Sequence, residues 1–84
     1  MALEDYMDVV QEAARNGMMI TMDYESPRDG KYSSQRLCEP YSLRGEFFFA
    51  WDVQANHIKK FFTSGVSNVQ STEIPFYPRF PVEF

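Results

Sequence analysis

The 84-residue sequence predicts a mainly β domain opened by one N-terminal helix, with about five short strands in a small closed or nearly closed sheet. Three observations predict it. Apolar residues recur at three- and four-residue spacing near the N-terminus and then switch to alternation. Turn residues break the remainder at close intervals. Aromatic residues make up 17% of the chain, eight of them Phe, which suits a small core because each ring buries roughly 150–250 Å². The expected organisation is a helix at 1–17, a β unit at 18–74 and a Pro- and aromatic-rich tail at 75–84.

The helix is read over residues 2–16. Leu3, Tyr6, Met7, Val10, Ala13 and Ala14 fall on one face. Glu4, Asp5 and Asp8 sit in the first turns and Arg15 in the last, matching the helix dipole, and Gly17 follows as a stop. Such a helix is expected to cover one opening of the sheet, or to pack on a partner. Met18, Ile20, Met22 and Tyr24 then alternate with Met19, Thr21 and Asp23, the pattern of a half-buried strand. Ser26-Pro-Arg-Asp-Gly30 has turn chemistry, and residues 32–39 return as the second strand of a hairpin. Pro40 is expected to end that strand or to mark an edge, because it has no N–H for a ladder.

Arg44-Gly45 predicts a tight turn. Residues 46–53 are almost continuously apolar, so the third strand is expected to be buried on both faces. Residues 58–63 are the fourth strand, and Val69 to Ile74 a fifth. The tail has prolines at 75, 78 and 81 and aromatics at 76, 77, 80 and 84, so it is neither helix nor central strand. It is expected to lie extended along the sheet or in a partner's groove.

The net charge of −4 does not favour non-specific nucleic-acid binding. The acidity is uneven: residues 1–30 carry seven acids against two bases, residues 31–84 five against six. The second part therefore has the means for a local basic patch. Cys38 is the only cysteine, so no intrachain disulfide or paired-thiolate zinc site is expected, and a reducing, cytoplasmic setting is. The acidic N-terminus is unlike a signal peptide, and no run approaches the ~18 apolar residues of a membrane span. No cofactor, metal or membrane partner is expected. Cys38 and His57 are the only thiol and imidazole. Cys38 is placed on a hairpin strand and His57 on an exposed turn, so no enzyme is expected.

Arg36, Lys59 and Lys60 form a basic set with the aromatic run Phe47-Phe-Phe-Ala-Trp51. Adjacent lysines on a strand point to opposite faces, so only one of the two can join Arg36. Phe47, Phe49 and Trp51 share one face, Phe48 and Ala50 the other. Two readings stand: stacking planes beside cations, or core aromatics beside a solvated rim.

The order of these residues resembles the WYL domain family. A strand ending in an aromatic (Ile20 to Tyr24) leads to a turn (Asp29-Gly30). An arginine follows four residues before a proline (Arg36, Pro40), then a leucine (Leu43). A triplet with a small residue comes next (Phe47-Phe48-Phe49-Ala50), and a base two before a phenylalanine (Lys59, Phe61). The resemblance covers residues 13–76. It implies a five-stranded barrel of the SH3 or Sm type, found in bacterial and phage transcription regulators behind a winged helix. There it serves as a sensor of nucleotides or single-stranded nucleic acid, or as a dimerising module. The triplet is all Phe here, and two further basic positions of the family fall on Phe62 and Gly65. This favours a smaller anionic ligand, or none. With no winged helix ahead of it, a stand-alone regulatory domain is expected. Arg36 and Lys59 would hold a small anionic or nucleotide ligand, with Phe48 or Trp51 stacked on it. The alternatives are a protein-interaction or homodimerising module, or a binder of short single-stranded nucleic acid.

Overall fold

A computed structural model describes the backbone of residues 3–84 and the side chains of residues 6–84. Helix α1 spans Leu3–Arg15. Its expected start at residue 2, and the roles given to the Leu3, Glu4 and Asp5 side chains, lie outside the described residues. The strands are β1 (Met18–Glu25), β2 (Tyr32–Arg44), β3 (Phe47–Asp52), β4 (His57–Phe62) and β5 (Val66–Pro75). All pair antiparallel in the order β4-β3-β2-β1-β5, so β4 and β5 are the edges and the barrel is not closed by a ladder. One 3-10 turn, Thr63–Gly65, joins them. Gly65 is required there: a Cβ would stand 2.2 Å from the Glu25 carbonyl oxygen.

Val10, Ala13 and Ala14 of α1 are buried against the sheet, as their spacing predicts. Gly17, at φ 71, ends the helix in the left-handed region. The core joins Val10 and Ala13 to Ile20, Met22, Tyr24, Cys38, Phe48, Ala50 and Phe61. Tyr24 and Phe61 meet edge to face at 4.8 Å. The Tyr24 hydroxyl also accepts a hydrogen bond from the Phe62 N–H at 3.0 Å, tying β4 to β1 where no backbone ladder does.

Of the two readings of Pro40, the edge holds and the stop does not, and the expectation for β3 is corrected. Pro40 does not end β2, which runs on to Arg44. Pairing with β1 covers Tyr32 to Cys38, and pairing with β3 covers Cys38 to Arg44. Pro40 therefore sits where β2 has a partner on one side only, a local edge inside a central strand, and a bulge follows it before Ser42. Strand β3 is not buried equally on both faces. Phe48, Ala50 and Asp52 are buried, whereas Phe47, Phe49 and Trp51 are half-buried. The tail lies beside Phe49 and Trp51, whereas Phe47 packs against Phe62 and Lys60. Phe80 packs on Tyr41 and Trp51, and Glu83 forms a parallel bridge with Ser42.

Candidate functional site

Asp52 organises the mouth of the barrel. It ends β3 on the same face as Phe48 and Ala50, and its side chain is 1% exposed. One carboxylate oxygen accepts from the Gln54 and Ala55 N–H groups at 3.0 and 3.2 Å, shaping the turn into β4. The other pairs with the Arg36 guanidinium and stands 3.5 Å from Lys59 Nζ. Burial pushes the Asp52 carboxyl up. The Ala55 N–H, Lys59 and Arg36 more than offset this and leave it below the usual carboxylate range.

Arg36 shares this face with Cys38, and a bulge brings Ser33 to it. Opposite Asp23 of β1, β2 carries two residues, Ser34 and Gln35, and Gln35 takes φ 51. The Asp23 carboxylate accepts the Gln35 N–H at 2.9 Å and also the Asn68 amide, at a second bulge in β5, at 3.3 Å. The extra residue inverts the alternation, so Ser33 and Arg36 share the inner face and their side chains are hydrogen-bonded. Lys59 reaches it by simple pairing, opposite Ala50.

Beside the Arg36–Asp52–Lys59 cluster runs a groove of about 580 Å³, between the β1–β2 hairpin and the free edge of β4. Arg28, Arg36, Lys59 and Lys60 line it with Asp29, Tyr24, Phe61 and Phe62. Even with Asp52 counted beneath it, cations exceed acids by two, in a chain whose net charge is −4. The guanidinium of Arg36 lies 5.6 Å from the Phe61 ring centre, and Lys60 Nζ 4.4 Å from that of Phe47.

The structure thus brings Arg36 and Lys59 together but sets the two predicted stacking rings elsewhere. Phe48 is 0% exposed in the core, with no face for a ligand. Trp51 points to the outer face, under Arg79 and Phe80. Phe62, half-buried at the groove wall, is the aromatic within reach instead. Cys38 and His57 lie in one cross-strand row with Asp52 between them, two strand spacings or roughly 10 Å apart, so they form no dyad. Burial, then the Asp52 charge, pushes the Cys38 thiol up to about 12.

Among the described residues there is no group of three potential metal-ligating side chains, and no helix long and apolar enough to cross a membrane. Sequence reasoning missed Asp52. The available signal was parity: a lone acid in register with Phe48 and Ala50 must be buried, and a buried carboxylate needs cations.

Fold and groove together define a small open β-barrel with a WYL-like fold, basic at one mouth. Among solved structures, proteasome accessory factor B/C (PafBC) of Arthrobacter aurescens is similar, with a TM-score of 0.77 at 16% identity over 94% of this chain. The chain spans 14% of the length of that protein, and the likeness is one of fold. Neither a scan of protein-family models nor a search of curated proteins returns a match.

Proposed function

We propose that this is a regulatory, non-catalytic domain that binds a small anionic ligand, a nucleotide or similar phosphate compound, in the groove beside Arg36 and Lys59. The observation that carries the reading is the charge surplus there. Asp52 can neutralise one cation, and two converge on it, with Arg28 and Lys60 on the rim. A phosphate would complete that balance. Arg36 offers forked donors and Lys59 a point charge, and Asp52 and Ser33 hold the guanidinium in place before any ligand arrives. Phe62 would lie against a base.

The test is a thermal-shift screen against nucleotides, cyclic dinucleotides and short oligonucleotides at low and high salt. A ligand at 100 times its Kd stabilises the folded state by about 2.7 kcal/mol. We expect a shift that survives high salt, and a Kd at least tenfold weaker in Lys59→Ala. Arg36→Ala is expected to weaken binding by well over tenfold, but it also unpairs Asp52, so Lys59→Ala is the cleaner variant. Silence across the panel, or full affinity in Lys59→Ala, sinks the assignment. Single-stranded nucleic acid is separated by its salt slope, which scales with the number of phosphates neutralised.

A further inference from the structure

The outer face of β2 and β3 holds a second buried carboxylate, Glu39, only 3% exposed. Its cation comes from the tail. Arg79 Nε lies 3.2 Å from Glu39 Oε1, and the guanidinium rests 4.2 Å above the centre of the Trp51 ring. The Tyr41 hydroxyl donates to Glu39 at 2.7 Å and accepts from the Arg79 N–H at 2.8 Å. A carboxylate at the edge of an aromatic plane, with a hydroxyl fixing the peptide behind it, is a receptor for an arginine side chain. The rest of the tail extends the match. Phe80 fills the space beside Tyr41 and Trp51, the Glu83 N–H donates to the Tyr41 carbonyl at 2.7 Å, and the Glu83 carboxylate pairs with Arg44 at 2.6 Å.

We propose that the Glu39–Tyr41–Trp51 face is an arginine-reading pocket that joins two copies of this chain, each seating its residues 78–84 on the other. The tail is the one segment seen to fit the pocket, and every contact it makes in its own chain is recreated in a partner. The hinge is visible. Phe76 is fastened to its own barrel by a hydrogen bond from its N–H to the Gly17 carbonyl and by its ring against Tyr41. Tyr77, between Phe76 and Pro78, is 95% exposed. Prolines at 75, 78 and 81 keep the segment extended, so little order is lost when it seats on another copy. Residues 76 to 79 span at most about 10 Å, so the two pockets face each other closely and the crossing covers both Tyr77 rings. At low concentration the tethered tail wins by its high effective concentration, and pairing grows as the protein is concentrated.

The proposal stands apart from the anion groove. Its test is complementation between two full-length variants. Arg79→Ala keeps the pocket and loses the key. Trp51→Ala keeps the key, impairs the pocket and, since the chain has one Trp, emits no tryptophan fluorescence. Glu39→Gln is a second tail donor. We expect each variant alone to be monomeric at micromolar concentration by light scattering. The equimolar mixture should give a 1:1 pair at least tenfold tighter than either self-association, with the Trp51 emission of the Arg79→Ala partner returning toward wild type. A mixture that stays monomeric with both donors overturns the proposal, and so does a pair that leaves Trp51 emission unchanged.

Discussion

The two faces of the β2–β3 sheet solve one electrostatic problem differently. Each buries a carboxylate. On the inner face Asp52 meets two cations, both from barrel strands, and positive charge is left over. On the outer face Glu39 meets one cation, from a segment outside the sheet, and the charges balance. A surplus held by the scaffold is the ground for the anion proposed in the groove. A balance held by the tail is what the proposed exchange between two copies would draw on. What decides the role of a buried acid here is where its counter-charge is attached, since its burial is nearly the same in both places.

The comparison is broken most severely at Asp52. Asp52→Asn leaves Arg36 and Lys59 facing each other and is expected to cost about 2–3 kcal/mol, measured by urea denaturation. This is below the ~3–5 kcal/mol of a fully buried pair because both cations are partly exposed. The same variant tests the pH dependence. Asp52 is held below its unfolded value, so the unfolded chain binds more protons as acid is added. Its contribution is complete above about pH 4 and drains as pH falls through the lowered value. Wild type should therefore show a steeper acid limb than Asp52→Asn, and equal limbs would refute the inner-face account.

Arg79→Ala is expected to cost less, about 1 kcal/mol. It unpairs Glu39, but the tail can shift and admit water, and Tyr41 still donates to the carboxylate. Smallest of all is Arg44→Ala. Arg44 and Glu83 are both exposed, so the loss should be under about 0.5 kcal/mol and vanish at high salt. A larger effect would mean that the tail is pinned chiefly by its end.

Most of the strand pattern was legible because it is local. The alternation from Met18 to Tyr24 and the spacing of Val10, Ala13 and Ala14 state which faces are buried, and those faces are buried. What the sequence hid depends on distant chain. The exposure of Phe49 and Trp51 is set by a tail some thirty residues away. Pro40 reads as a stop or an edge until both neighbours of β2 are known, one leaving and one arriving at Cys38. Counted from Ser33, Arg36 would alternate outward but for the Gln35 bulge, and that bulge is stabilised by Asp23, twelve residues earlier. Lys59 required no such help, and strict alternation from Phe61 places it correctly. At the site, then, the residue types were readable and the sidedness was not.

The single hydroxyl that ties β4 to β1 sets where this barrel breathes. A ladder opens only when several bonds yield together, whereas Tyr24 and the Phe62 amide make one. Native-state hydrogen exchange should find the β4 amides among the fastest in the sheet, and Tyr24→Phe should quicken them further while the β1–β2 amides hold. That seam is also a wall of the basic groove. Any anion bridging Arg36 on one side and Lys60 on the other would fasten it, so occupancy would register as slowed exchange along β4 and carry news of the ligand to the free edge of the sheet.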